Sequence, residues 1–274
     1  MNPKHTNSMT QRNSDVDPKW RIAAFIDILG FSEKLEHAGD NIEELQEIYE
    51  ILRCFYDQFN NKDENDWDDV KLFSDCAYIS SKLEDPTDQI STYDHIGMIL
   101  SGLAEAQGYL IVNENIFIRG GIDIGKIIKN EKDNIEVSSA YYRAYKIENN
   151  LAKYPIIRIG NKFIKQIDIT ECSGSQCYGV SGPNDNLFMK CTGFDGELFY
   201  ILNYIQIMID NGNDPNEILL RHKTHIIESY KTSKTFKIKE KYRWLGLYYH
   251  NKIVENNPSL LKYLISDMNL TENQ

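Results

Sequence analysis

The run RIAAFIDIL, residues 21–29, is short, apolar and rich in β-branched side chains, and it stops at Gly30. That pattern predicts a central strand. One carboxylate, Asp27, interrupts it, and a buried carboxylate without a partner is costly, so the rest of the chain has to bring something to this position. Beyond the strand, Ile42, Leu45, Ile48, Tyr49, Leu52, Phe55 and Phe59 recur at helical spacing after a capping-box-like start at Asp40 and Glu43. One long amphipathic helix is predicted there. VKLFSDCAYISS predicts two short strands meeting at a tight Ser74-Asp75 turn. Ile90, Ile96, Ile99, Leu103 and Leu110 again repeat helically, and IFIRGGIDIGKII then alternates apolar residues with Arg, Gly and Asp. A hairpin, or a strand bent at Gly120-Gly121, produces that alternation. SSAYYRAYKIENNLAKY places Ala140, Ala144, Ile147 and Leu151 on one helical face and closes at Pro155 before the short strand IIRIG. The predicted order is βαββαββαβ, an α+β chain.

From Glu197 onward the reading turns helical, through ELFYILNYIQIMID, PNEILLRHKTHIIESY, KEKYRWLGLYYHNKIV and PSLLKYLI. No Gly- or Pro-rich linker sets these helices apart, so they are expected to cap the first region. The expected organisation is a loose polar leader over residues 1–18, a core over 19–165, and a mostly helical extension over 166–274 packed on that core. With 274 residues and 41% hydrophobic content, the chain can bury a sizeable core. A net charge of −11 repels a long phosphate backbone, which disfavours nucleic acid as a partner. The polar leader lacks the apolar segment of a signal peptide and the apolar runs are short, so the expectation is a cytoplasmic protein without membrane contact. Five scattered cysteines suggest reduced thiols. Cys172, Cys177 and Cys191 have no fourth ligand and fall short of a zinc set.

Asp27 and Asp75 stand 48 positions apart, each at a strand end before a turn. Adjacent antiparallel strands would bring the two carboxylates together, and they repel unless a cation neutralises them. A hard divalent ion does so, and Mg²⁺ favours one or two carboxylates supplemented by substrate phosphates. Gly30 and Phe31, at a turn entering a helix, could offer backbone N–H groups to those phosphates. Plainer readings stand beside this one. Asp27 could cap a helix and Asp75 could be a turn residue, while Lys71 could be a solvated strand lysine. GGIDIG lacks the acidic pair that follows the glycines of diguanylate cyclases, and Leu29 stands where haloacid-dehalogenase phosphatases need a second Asp. His222 and His225 suit an interior edge, and YRWLGLYY suits the core or an interface.

In order and rough spacing, FIDILGFS, VKLFSDC, RGGIDIG and SSAYYRAYKIE resemble the class III nucleotide cyclases. SSAYYRAYKIENNLAKYP, GFDGELFYILNYI and KYRWLGLYYHN are more closely similar to the bacterial antiphage Pycsar pyrimidine cyclases. The resemblance implies a ferredoxin-like core with a helical C-terminal extension. It implies that Asp27 and Asp75, with the Ile28 carbonyl, hold two divalent ions, Mn²⁺ or Mg²⁺. It implies substrate contacts from Gly30, Phe31 and Tyr142, and puts Lys71 where adenylate cyclases read the base. Lys146 then stands where the family has a transition-state Arg, and Tyr142 where it has Asn, with Arg143 one turn before Lys146 as a substitute. A lysine delivers a point charge where arginine offers a fork. Further implications are a head-to-tail homodimer with shared sites and a nucleoside triphosphate substrate, UTP before CTP. The cyclic product would serve as an antiphage second messenger for a cyclic-nucleotide-sensing effector. The departures at Lys146 and Tyr142 keep a second expectation open, a catalytically silent nucleotide-binding module of the same fold.

Overall fold

The structure, a computed structural model, describes residues 19–60, 67–83, 89–130, 135–167 and 187–265. The leader and two of the cysteines, Cys172 and Cys177, lie outside the described residues. The strands are β1 (Lys19–Ile28), β2 (Asp69–Phe73), β3 (Cys76–Lys82), β4 (Ile118–Asn130), β5 (Ile135–Ser138), β6 (Ile157–Ile159), β7 (Phe188–Thr192) and β8 (Leu198–Leu202). The helices are α1 (Phe31–Ala38), α2 (Ile42–Asn60), α3 (Gln89–Val112), α4 (Ser139–Leu151), α5 (Asn161–Ile167), α6 (Tyr204–Asp210), α7 (Pro215–Thr232), α8 (Phe236–Trp244) and α9 (Asn251–Glu255).

One sheet runs in the order β2-β3-β1-β4-β6-β8-β7, with β5 added to β4. Its first four strands are antiparallel neighbours in the 2-3-1-4 order of a ferredoxin-like βαββαβ unit, as expected. The β4–β6 pair alone is parallel among the described pairings. Alternation along β1 explains the layering. Ile22, Ala24, Ile26 and Ile28 enter the main core, which continues through α2, α3, α6, α7 and the C-terminal helices. Ala23 lies on the opposite face in a smaller cluster with Ile127, Ala140 and Tyr141, under α4.

Four sequence expectations need adjustment. The α2 cap is Asn41, whose Oδ1 accepts from Glu43 N–H at 3.1 Å and whose Nδ2 donates to Glu44 at 3.0 Å. Asp40 is spent in the turn, because Gly39 N–H and Asn41 N–H first close the preceding helix α1 on Leu35 and Ala38. IFIRGGIDIGKII forms no hairpin of its own: from Ile118 it runs without interruption in the 13-residue β4. Gly121 is there for close packing, since a methyl group at that position would collide with the Ala144 carbonyl of α4. ELFYILNYIQIMID is not one helix: Leu198–Leu202 form β8, in which Phe199, Ile201 and Leu202 are buried, and α6 follows after Asn203. A five-residue strand running straight into a helix blends two periods into one apolar stretch. The preceding strand β7 pairs with β8 and was not anticipated.

The extension shares its core with the sheet. Trp244 is fully buried, stacks on Tyr154 at 4.1 Å and donates its indole N–H to the Thr192 carbonyl at 2.9 Å. Between α8 and α9 the helix widens into a π-helical turn, Leu245–His250, which places Tyr249 and His250 inside. A short 3₁₀ segment, Pro258–Tyr263, follows. Among the described residues no helix is long and apolar enough to cross a membrane.

Candidate active site

Register builds the site. Asp27 pairs with Cys76 of β3 on one side and with Arg119 of β4 on the other. The Ser74-Asp75 turn that joins β2 to β3 is pinned by Tyr56 of α2, whose hydroxyl donates to the Ser74 carbonyl at 2.9 Å. The Asp75 carbonyl accepts the Ile28 N–H at 3.1 Å. As a result, ligand atoms of Asp27, Asp75 and Cys76 all lie within 4.8 Å of one another. The Cys76 thiol lies 3.6 Å from Asp27 Oδ1 and 3.9 Å from Asp75 Oδ1.

Two residues beyond β1, Gly30 takes a left-handed conformation, φ 78°, and starts α1 with no side-chain cap. Glycine adopts that conformation without the Cβ clash, and the first-turn N–H groups of a helix have no intrahelical acceptor. The α1 N-terminus therefore presents partial positive charge beside the two carboxylates. Together they line a cleft of about 850 Å³. Part of the lining comes from the extension, through Ser229, Thr232 and Ser233 at the end of α7 and Ile238, Lys241 and Tyr242 of α8.

Arg119 joins the carboxylates to the helix on the other face. Its Nε lies 3.1 Å from Asp27 Oδ2 and its Nη2 lies 2.7 Å from Glu148 Oε1. Burial raises the Asp27 carboxyl above its ordinary range; Arg119 opposes this and the Asp75 charge adds to it. Burial likewise pushes Glu148 up to about 7, against the pull of Arg119 and with the repulsion of Asp27 and Asp75. The Cys76 thiol is pushed far up, by burial first and then by Asp27 and Asp75, so it stays protonated at neutral pH. Neither Arg119 nor Glu148 was expected at the carboxylate site from the sequence. Glu148 did leave a signal, for it falls four residues after Ala144 on the apolar stripe of α4, where an acid has no solvent-facing reason to be.

The other sequence candidates sit apart from the carboxylate pair. Lys71 forms an ion pair with Glu136 at 2.7 Å and lies over the Tyr78 and Tyr141 rings. Arg143 is bound into the fold: its Nε is 3.4 Å from Asp123 Oδ2, and it donates to the Ile124 carbonyl and Ser139. Asp123 in turn accepts from the Ile124 and Phe163 N–H groups at 2.8 Å. Lys146 is exposed on α4, with its ammonium 4.7 Å from the centroid of the exposed Tyr142 ring. His222 is fully buried, bonded to Tyr204 at 2.8 Å and to His250 at 3.0 Å, and His225 contacts the Val112 carbonyl at 3.1 Å. His222 is thus an interior group of the extension, and His225 is half-buried where the extension meets α3.

No protein-family model matches the chain, and no curated protein does. Among solved structures, the guanylyl cyclase Cya2 is similar at 15% identity and TM-score 0.42, over 68% of this chain and 92% of that one. The adenylyl cyclase CyaB from P. aeruginosa is similar at 14% identity and TM-score 0.46, over 69% and 95%. A class III adenylyl cyclase-like ATP-binding protein from Pseudomonas aeruginosa is similar at 12% identity and TM-score 0.42, over 58% and 37%.

Proposed function

We propose that the chain is a nucleotidyl cyclase, which converts a nucleoside triphosphate to a 3′,5′-cyclic monophosphate and pyrophosphate. The observation that carries this reading is the convergence of Asp27, Asp75, Arg119 and the uncapped N-terminus of α1 in one cleft. The cleft falls within the size range of small-molecule sites.

The donor set fits a hard divalent ion: two carboxylates close together, one raised by burial and by the other's charge, so that a cation relieves a real repulsion. Asp27 and Asp75, with the Ile28 carbonyl, would hold two such ions, Mn²⁺ or Mg²⁺, which would lower the pKa of the 3′-hydroxyl and screen the triphosphate. The remaining work falls to the chain. The N–H groups after Gly30 donate to phosphate oxygens, and Arg119 supplies a fixed cation beside them. The 3′-oxygen attacks the α-phosphorus, its proton leaves to solvent, and the bond to the β-phosphate breaks with pyrophosphate as leaving group. Catalysis of this kind is mostly positioning and charge stabilisation.

Several finer assignments belong to the same proposal. Exposed Lys146 and Tyr142 of α4 act on the site of a partner copy, as a head-to-tail homodimer requires, and Lys146 meets charge on the α-phosphate. The exposure of Tyr142 and Tyr145, three positions apart on α4, supports a surface that meets another copy. UTP is the first-choice substrate and CTP the second, supported by the sequence resemblance to pyrimidine cyclases. A lysine donor such as Lys71 suits the acceptor O4 and O2 of uracil. The cyclic product then acts in antiphage defence through a separate cyclic-nucleotide-sensing effector.

A second reading, a nucleotide-binding module without turnover, is favoured by one observation: Lys146 is engaged with the Tyr142 ring. ³¹P NMR of the protein with each NTP and Mn²⁺ separates the two. Equal amounts of pyrophosphate and cyclic monophosphate support the cyclase, and saturable binding with the triphosphate signals unchanged over hours supports the module.

A further inference from the structure

The wall of the cleft built by the C-terminal extension carries a cation that has no part in the chemistry proposed for the carboxylates. Lys241 lies on α8 beside Tyr242, which is buried and packs its ring on Phe117 at 4.9 Å, and one turn after partly buried Ile238. Those two anchors fix Lys241 at the cleft wall, partly buried and facing the same space as Asp27, Asp75 and Arg119. Its ammonium forms no ion pair or hydrogen bond among the described residues. Arg119, by contrast, is already engaged with Asp27 and Glu148.

The charged groups around Lys241 do not explain its place. Arg119 and Lys237 repel it, Glu33 and Asp27 attract it, and the net result with burial is a lowered pKa, burial first. A lysine near a helix C-terminus is ordinarily explained by the helix dipole. That explanation fails here, because α8 passes without a break into the π-helical turn and α9, so no free carbonyl end lies at Lys241. Arg243, two residues on, has its own partner in Glu240 at 3.2 Å. A partly desolvated cation beside a second cation, without an acid in contact, is a cost to the ligand-free fold that a polyanion in the cleft removes.

We infer that Lys241 is a substrate-binding residue that contacts the polyphosphate of a nucleoside triphosphate, so that the C-terminal extension completes the site of its own chain. This rests on the nucleotide reading of the cleft. It assigns the extension a part in binding, in addition to its place in the core.

Isothermal titration of the full chain with UTP and with inorganic tripolyphosphate, each with Mn²⁺, tests it. Lys241→Gln should weaken both ligands about tenfold or more, the loss of a charge-assisted contact, with Lys241→Arg retaining most of the affinity. Lys190→Gln, the same charge change at an exposed position of β7, a strand that contributes no residue to the cleft, should leave affinity unchanged. The ligand-free Lys241→Gln protein should melt at the same temperature as the wild type or higher, since a repelled cation has gone. Equal affinity of wild type and Lys241→Gln, or equal weakening by Lys190→Gln, would overturn the inference while leaving the nucleotide reading intact. Wild-type protein that binds no nucleoside triphosphate, with UTP, CTP, ATP and GTP all tried, would overturn both.

Discussion

Arg119 Nη2 lies 2.7 Å from Glu148 Oε1, an ion pair that ties the strand beside Asp27 to the buried face of α4. The acid in it is under strain from burial and from the two site carboxylates, and its pKa stands at about 7. A carboxyl whose folded pKa is raised binds its proton more firmly in the native state. Stability is therefore present at low pH and is lost as pH rises from the unfolded value near 4.5 through about 7.

Replacing that acid isolates its share. The unfolding free energy of Glu148→Gln minus that of the wild type should grow as pH rises from about 5 to about 8, towards a ceiling of about 3 kcal/mol, and the difference in melting temperature should grow with it. Thermal melts over a pH series read this directly. A difference that shrinks with rising pH would mean that the pair with Arg119 outweighs burial.

The buried histidines give the opposite slope. His222 and His250 face each other at 3.0 Å between Tyr204 and the Tyr263 carbonyl, and burial lowers both, His250 to about 4. A histidine held neutral contributes stability that is whole above its unfolded pKa near 6.5 and is lost as pH falls towards the folded value. Acid should loosen the extension first. Hydrogen exchange at about pH 5 should show α7 and the π-helical turn opening before β1, and His250→Asn should flatten the loss between about pH 6.5 and 4. Protection that vanishes from β1 and α7 together would refute this order.

Much of the layout was legible because it rests on periodicity. The strand through Asp27, the Ser74-Asp75 turn and the helix from Ser139 each match one clean period or turn signal, while the ferredoxin-like core was an implication of the family resemblance. β7 and β8 were not legible, being five residues long and, in the case of β8, continuous with a helix. At the site, the two carboxylates could be read because each sits at a strand end. Arg119 could not be read as a partner, since only the register of β1 on β4 sets it opposite Asp27. The wall from α7 and α8 depends on packing between segments about 200 residues apart in sequence, a distance over which local pattern carries no information.

Shared sites can be tested by mixing. An Asp27→Asn, Asp75→Asn double variant and a Lys146→Ala variant, each inactive alone, should regain about a quarter of wild-type activity when combined. One mixed dimer site then keeps both halves. Absence of recovery after proven subunit exchange would contradict shared sites.

A competition among equimolar ATP, GTP, CTP and UTP with Mn²⁺, with every 3′,5′-cyclic product quantified by mass spectrometry, decides between cyclase and silent fold. Wild-type protein and Asp27→Asn should be run side by side. The expected result is a cyclic nucleotide from the wild type, with cyclic UMP in the majority, and a loss of at least about 100-fold in the variant, as removal of metal-holding charge implies. Predominant cyclic AMP or cyclic GMP would contradict the choice of base. Full activity in Asp27→Asn would contradict the site, and no cyclic product from any of the four triphosphates would contradict the cyclase reading itself.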